Sequence, residues 1–202
     1  APRLNTRMDG VREVASPART SLSLPLDAAL AARTQEAAGQ LGCGTDLFLQ
    51  AVWWLLVARL TGHRPFVAGW QNDCRHDYEV MRGAVGVFEK ILPVVVDIAP
   101  DERFSDWIAR LGETLEAHAE AQEYWAIDAP PISAHLDVGF GFDEIPVRSH
   151  GAVAWRVDTA PGPLPCFELA MQVGRAGQAF TLSVHADVSR YSPQAVERLL
   201  WQ

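Results

Sequence analysis

The alternation of apolar and polar residues in the first third of the chain predicts one strand followed by two helices. Residues 20–25 alternate with the period of a half-buried strand. Asp27 can cap a helix that continues to about residue 41, with a glycine just beyond its end. Residues 47–60 carry only two polar side chains, so a helix that is buried on nearly every face is expected there. Because this segment is too short to span a bilayer, we interpret it as a central core helix.

The middle third predicts two further strands and an amphipathic helix. A short apolar run at 66–70 has the character of a strand, and a polar loop is expected over 71–84. The continuous β-branched run at 91–96 predicts a buried strand, with Pro93 at its start or at an edge of the sheet. Residues 101–122 place their large apolar side chains on one stripe of a helix.

The last third changes to short strand-like runs separated by glycine and proline. A final helix is predicted to open at Ser192-Pro193. Residues 1–17 carry no apolar period and are expected to be a linker or lead-in. The sum is a mixed α/β domain, a mixed sheet flanked by helices. The strand-like runs occupy residues 135–142, 152–157, 167–173 and 179–187.

Composition narrows the function classes. The 202 residues are 49% hydrophobic and carry 25 acidic against 17 basic residues, a formal charge of −8. This balance does not attract a phosphate backbone, so we expect no nucleic-acid partner. No apolar run is long enough to span a membrane, and residues 1–26 lack the pattern of a signal peptide. Three widely separated cysteines form neither a disulfide framework nor a metal pair, which predicts reduced thiols and a cytoplasmic location.

Two groups of residues are candidates for chemistry, and neither forms a complete catalytic set. The loop 73–77 brings together a thiol, an imidazole and two carboxylates, and Cys74 with His76 could imitate a nucleophile and its base. A solvated connecting loop is the simpler interpretation, and no metal site is predicted. His185 and Asp187 share one face of a predicted strand as a candidate acid–base pair, while His118 is expected at a helix surface.

Several segments, in their order, resemble the C-terminal lobe of a condensation domain of nonribosomal peptide synthetases. The resemblance covers the chain from about residue 18 to its end. Glu89 and Lys90 depart from the family pattern, which has Val and Asn at these positions. The matching segments are Gly44-Thr45-Asp46-Leu47-Phe48, Arg59-Leu60-Thr61-Gly62, Phe66-Val67-Ala68-Gly69, Val85-Gly86-Val87-Phe88-Glu89-Lys90-Ile91-Leu92-Pro93, Cys166-Phe167-Glu168-Leu169, and Ala186-Asp187 with Arg198-Leu199.

The resemblance implies one lobe, residues 18–202, of a two-lobed fold like that of chloramphenicol acetyltransferase. In that family a tunnel between the lobes receives phosphopantetheine arms of donor and acceptor carrier proteins, and an amide bond is formed between the thioesters they carry. The family's His-His-x-x-x-Asp-Gly motif lies on the N-terminal lobe and does not occur in this sequence. The chain alone is therefore expected to be inactive as an acyltransferase. The alternative is a non-catalytic module that binds carrier or partner proteins.

No catalytic residue is assigned within the chain, and no cofactor is expected to bind it directly. The resemblance implies that tunnel-wall and substrate-binding residues lie in two segments. The expected partners of the chain are an N-terminal lobe, the two carrier proteins and, for the isolated lobe, a second copy in a homodimer. The implied substrate-binding residues are Gly86, Phe88, Glu89, Lys90, Phe167 and Glu168.

Overall fold

The computed structural model describes residues 18–76, 79–81, 84, 86, 88–125, 136–145, 147–150, 153–156 and 167–201, without the side chains of residues 76, 147–150 and 153–156. These residues form four α-helices and eight strands. The helices are α1 (Ala28–Gln40), α2 (Thr45–Thr61), α3 (Phe104–Glu120) and α4 (Pro193–Leu200). The strands are β1 (Arg19–Pro25), β2 (Phe66–Asp73), β3 (Glu89–Val96), β4 (Val138–Glu144), β5 (Val147–His150), β6 (Val153–Arg156), β7 (Leu169–Ala176) and β8 (Ala179–Asp187).

Six of the strands form one mixed sheet in the order β1-β8-β7-β4-β2-β3, and β5 pairs with β6 in a separate hairpin. The central strands β7, β4 and β2 run parallel, so their carboxyl ends lie at the same edge of the sheet. The outer pairings, β1 with β8, β8 with β7, and β2 with β3, are antiparallel. The predicted class, a mixed sheet flanked by helices, is confirmed.

The predicted helices form for the local reasons expected. The Asp27 side chain accepts a hydrogen bond from the Leu30 backbone at 2.8 Å and caps α1, and Ser192 caps α4 in the same way. Gly62 ends α2 in the left-handed conformation, at φ 68°, which glycine adopts without steric cost. On α3 the predicted stripe is buried, with Trp107, Ile108, Leu111 and Leu115 all inside the core.

Helix α2 is less completely buried than its composition predicts. Seven of its residues are buried, among them Trp53 and Trp54 at 1% and 0% exposure. The indole Nε1 of Trp53 donates to the Gly139 carbonyl at 3.0 Å, which holds the helix against β4. However, Val52 is 41% and Leu60 51% exposed. The prediction of burial on nearly every face was wrong. Helix α2 packs against α1, α3 and β4, and these elements leave its outward side chains exposed.

The strand predicted over 91–96 is an edge strand, not a buried one. Its Val95 is 59% exposed, whereas Leu92 and Val94 are 1% exposed, because β3 has a neighbour on one side only. Pro93 stands at this edge, as the alternative prediction had it, where no neighbouring strand needs its missing N–H. The outward carbonyls are covered: Nε1 of Trp125 donates to Ile91 at 2.7 Å, and Nδ1 of His118 donates to Pro93 at 3.0 Å. His118 is therefore half-buried rather than a surface residue.

Two further boundaries differ from the sequence patterns. Residues 71–73, predicted as the start of a polar loop, continue β2, because they pair with residues 89–91 of β3. The strand β5 was not predicted. Within the described ranges, no single helix is long and apolar enough to cross a membrane; α1 and α2 meet that test only when taken together, as a pair bent by 96°.

Candidate functional site

A cavity of about 840 Å³ opens at the edge of the sheet where the parallel strands β2 and β4 end. Its size falls within the range of about 300–1,000 Å³ that is typical of ligand pockets. The carboxyl ends of parallel strands are also the usual position of ligand sites in open α/β sheets. Side chains from the first turns of α2 and from the end of β7 complete the wall. The lining residues are Asp46, Gln50, Trp70, Gln71, Asn72, Asp73, Arg75, Ala84, Phe140, Phe142, Asp143, Glu144 and Arg175.

A hydrogen-bonded cluster of one carboxylate and two amides lies beside the cavity. The Nε2 atom of Gln172 donates to Asp143 and, at 3.1 Å, to Oε1 of Gln71. The Nε2 atom of Gln71 donates to the other oxygen of Asp143 at 3.3 Å. The side chain of Gln172 crosses Gly141 so closely that a Cβ atom there would overlap its Oε1 atom. We call Gln71, Asp143 and Gln172 the amide–carboxylate cluster.

Burial raises the pKa of Asp143, and the nearby charges of Glu89 and Asp73 raise it further. The hydrogen bonds from Gln172 and Gln71 oppose this shift, because they stabilise the ionised form. The cluster therefore holds a partly desolvated carboxylate whose negative charge is met by amide dipoles rather than by an ion pair.

Both arginines among the described lining residues are already paired with carboxylates. Arg75 contacts Asp73 at 2.6 Å, and Arg175 contacts Glu144 at 3.3 Å. None of the described lining residues is a histidine, cysteine or lysine. The described part of the wall can therefore bind and orient a ligand through its polar groups, but it offers no side chain of the types that most often act as base or nucleophile near neutral pH.

The four predicted site residues on and before β3 differ in exposure, with Phe88 half-buried. Gly86 is exposed, and a Cβ added to it would stand 2.9 Å from the ring of Phe88, so the close approach predicted there is made by a side chain. Glu89 is exposed and near enough to Asp143 to affect its pKa. Lys90 is half-buried, and its Nζ atom donates to the Gln122 carbonyl at 3.3 Å.

The other two predicted site residues lie away from the cavity. Phe167 is 1% exposed and packs with Leu136 and Ala170. Its ring covers Gly69 and Gly139 so closely that neither position has room for a Cβ atom. Glu168 faces Arg190 at 3.5 Å. Phe167 thus fills the sheet face opposite the helices, and neither residue lines the cavity.

The candidate pairs for chemistry are not assembled. The Sγ atom of Cys74 lies 2.6 Å from the Phe88 carbonyl oxygen, and the His76 side chain lies outside the described residues, as does Cys166. The Nδ1 atom of His185 contacts Ser21 Oγ at 2.7 Å, across strands β1 and β8, instead of Asp187. Burial lowers the pKa of His185, and the charge of Arg19 lowers it further. Among the described residues no group of three or more potential metal ligands comes together.

The sequence patterns did not indicate the amide–carboxylate cluster. Gln71 was assigned to a loop, Asp143 stood one residue beyond the strand-like run 135–142, and Gln172 stood within the run 167–173 without a motif. The available signal was a polar side chain within an apolar strand, since burial of such a group requires a partner. Nothing in the order of residues told which partner that would be.

Comparison with known families places residues 11–127 in the sequence model described as "Condensation domain". One chain of the linear gramicidin synthase from Brevibacillus parabrevis is 23% identical over 167 residues, which is 78% of this chain and 2% of that protein. The chain is thus similar to a small part of a much longer synthase.

Solved structures share the fold at low sequence identity. The SgcC5 protein from Streptomyces globisporus superposes with a TM-score of 0.75 at 15% identity, over 92% of this chain and 46% of that one. The first condensation domain of the CDA synthetase gives 0.70 at 18% identity, over 96% of this chain and 44% of that one. The chain therefore spans less than half the length of these structures.

Proposed function

Because this chain belongs to the condensation-domain family, we propose that it is the C-terminal lobe of a condensation-domain acyltransferase of a nonribosomal peptide synthetase. The proposed reaction joins an acyl group on a donor carrier protein to the amine of an aminoacyl group on an acceptor carrier protein. The lobe supplies a wall of the tunnel and a surface for carrier docking. A second lobe, which carries the His-His-x-x-x-Asp-Gly motif, completes the domain.

The observation that carries this proposal is the composition of the cavity wall. It has the size and position of a ligand site, yet among the residues that the structure describes no histidine, cysteine or lysine lines it. A lobe that binds substrate beside a base held elsewhere needs a wall of this kind. The amide–carboxylate cluster gives the wall fixed hydrogen-bonding groups, and Glu89 lies close enough to influence them.

The proposed chemistry balances without a cofactor bound to this chain. The amine nitrogen attacks the thioester carbonyl carbon, so that a C–N bond forms and the C–S bond breaks. The amine proton passes to the base on the second lobe, and the sulfur leaves as the thiol of the donor's phosphopantetheine arm. Both substrates arrive covalently attached to their carriers, and a cytoplasmic location would suit this partnership.

Separated from its second lobe, the chain should self-associate as a homodimer. Val52 and Leu60 on α2, Val95 on β3 and Trp201 at the end of α4 are exposed apolar side chains. Apolar surfaces of this kind drive association when they are contiguous. Sedimentation of the purified chain across a range of concentrations measures this. A monodisperse monomer with no affinity for a separately produced N-terminal lobe contradicts the expectation.

The proposed function is tested by reconstitution. The 202-residue chain is combined with an N-terminal lobe that carries the histidine motif, and loaded donor and acceptor carriers are added. We expect the amide product, detected by mass spectrometry on the acceptor carrier, only when both lobes are present. The matched control is the same pair of lobes with the second motif histidine changed to alanine.

Two results would contradict the proposal in different ways. Product formed by this chain alone would overturn the division of roles between the lobes. Carrier binding without product, under conditions where an intact condensation domain works, would favour the alternative of a non-catalytic module that binds carrier or partner proteins.

A further inference from the structure

Within the described residues, the cavity contains two carboxylates that form no ion pair. Asp73 and Glu144 are paired with the cavity's two arginines, whereas Asp46 and Asp143 are not. Arg75 is near enough to sense the charge of Asp143, but its guanidinium is bound by Asp73. The first turn of α2 accounts for a negative charge at Asp46, since it is a helix N-terminus. Asp143 lies on a strand and has no such explanation.

Buried polar groups around the cavity also lack partners. Gln50 is 5% exposed and lines the cavity, and its Nε2 atom has no hydrogen-bond partner among the described residues. Gln172 is 1% exposed and donates to Asp143, while its Oε1 atom is buried and, within the same residues, unpartnered. A buried polar group without a partner is destabilising, so such groups call for a bound ligand or a specific role. Asp143 lines the cavity and forms no ion pair within the described residues, and a carboxylate of this kind is suited to a ligand that donates hydrogen bonds and carries positive charge.

The positive group is not the amine that reacts. An ammonium held against a carboxylate is kept protonated, because the opposite charge favours the charged form. A protonated amine has no lone pair and cannot attack a thioester. The reacting amine must also reach a base, and no histidine is found among the described residues of the cavity wall. A cation bound at Asp143 therefore belongs to a part of the substrate that stays unchanged during the reaction.

We propose that Asp143, supported by Gln172, is a specificity-determining residue that selects a substrate with a cationic side chain, a primary ammonium or guanidinium, bound in this cavity. This inference rests on the proposed function, since it takes the cavity as part of the substrate tunnel. The unpartnered Nε2 atom of Gln50 is a donor, and it suits a carbonyl oxygen on the same substrate.

The test uses non-reacting probes on the 202-residue chain. Ornithine, norvaline and glutamate are each attached to aminopantetheine through an amide, so that the three probes differ in the side chain only. N-acetylated forms of all three remove the α-amine as an alternative source of positive charge. Isothermal titration should show the ornithine probe binding about tenfold more tightly than the norvaline probe, with or without the acetyl group. The glutamate probe should bind more weakly than both.

The matched variants are Asp143→Asn and, as a control for loss of one carboxylate, Asp101→Asn at an exposed position outside the cavity. Asp143→Asn should reduce the affinity for the ornithine probe to that for the norvaline probe, and Asp101→Asn should leave both unchanged. If Asp143→Asn fails to fold, the effect of salt on probe binding by the unmodified chain is measured instead. Added salt should then weaken binding of the ornithine probe and spare the norvaline probe.

Failure of this inference and failure of the proposed function give different results. Equal affinity of the ornithine and norvaline probes, or a preference that survives in Asp143→Asn, overturns the inference. A preference that is lost on N-acetylation also overturns it, since the α-amine would then be the bound cation. If the two-lobed domain forms the amide at equal rates with ornithine and norvaline substrates, the proposed function is supported and the inference is contradicted. Selective binding that depends on Asp143, without amide synthesis for any substrate, supports the inference and contradicts the proposed function.

Discussion

Both faces of the central sheet contain buried residues, but among those that the structure describes only the face opposite the helices has polar side chains in number. The face under the helices carries Phe140, Val173 and Val184, each at 2% exposure or less. The other face carries Ser183 and His185, at 1% and 4% exposure, together with the amide–carboxylate cluster. Successive residues of each strand alternate between these two surroundings, as the geometry of a strand requires.

The comparison separates a face that is stabilised by apolar packing from a face whose buried polar groups need hydrogen-bond partners. Apolar burial on the helix face is favourable without any geometric condition beyond close packing. On the polar face each buried group needs a partner, and the partners are incomplete. The hydroxyl groups of Ser23 and Ser183 share a hydrogen bond of 2.7 Å. In contrast, Nε2 of His185 and Oε1 of Gln172 have no hydrogen-bond partner among the described residues. The polar face thus carries groups that a ligand or a neighbouring lobe can satisfy.

The largest effect is expected from the apolar face. Trp53→Ala removes a side chain that is 1% exposed and also its hydrogen bond to Gly139, so we expect a loss of about 3–5 kcal/mol in the free energy of unfolding. The adjacent change Val52→Ala, at a position 41% exposed, should shift it by only about 0.5 kcal/mol. Urea unfolding measures both. Similar losses for the two variants would mean that α2 is not anchored as described.

A smaller loss of stability is expected at Gly139, which the ring of Phe167 covers on the face opposite the helices. Gly139→Ala places a methyl group against Phe167, which should destabilise the fold by about 1–3 kcal/mol. Gly39→Ala is the matched control, because its Cβ atom meets nothing within 4 Å in helix α1, and it should stabilise by up to about 1 kcal/mol. The loss should shrink when Phe167 is also changed to leucine. An undiminished loss in that double variant would exclude the ring as its cause.

The polar face should also give the stability a dependence on pH. Burial lowers the pKa of His185 below its ordinary value of 6.5, so in this range the unfolded chain binds more protons than the folded one. The free energy of unfolding should therefore fall as the pH drops below about 6.5 toward the lowered value. Urea unfolding at about pH 7.5 and about pH 5.5 measures the difference. The difference in stability between the two pH values should diminish in His185→Gln. It should persist in His63→Gln, which changes a histidine at an exposed site. An equal pH dependence in both variants would show that His185 is not its source.

The smallest effect on stability is expected at Lys90, whose one described contact is a 3.3 Å hydrogen bond to a carbonyl. Lys90→Asn should change the free energy of unfolding by less than about 0.5 kcal/mol. In the two-lobed enzyme it should nevertheless alter acceptor preference or carrier affinity, which steady-state kinetics with loaded carriers measures. Arg33→Gln on the exposed side of α1 is the charge control. Unchanged kinetics with every native substrate would leave Lys90 as a surface residue without a role.

The elements that could be predicted are those whose pattern repeats along one segment. The buried stripe of α3 and the caps at Asp27 and Ser192 are local, and all three are confirmed. The burial of β3 was predicted wrongly because a β-branched run occurs both in central strands and, as here, at an edge. The partner of His185 could not be predicted either, since Ser21 is 164 residues away in the chain.

The sequence by itself determined the kinds of elements, most of their positions and the family, because helical and strand periods and short motifs depend on neighbouring residues. Only the tertiary structure decided which polar side chains meet. Gln71, Asp143 and Gln172 come from three strands and are brought together by the strand order and register of the sheet. Register is set by packing of all the strands at once, and a shift of one residue would turn each side chain to the other face. For that reason the cluster, and with it the cavity, could not be derived from the order of residues.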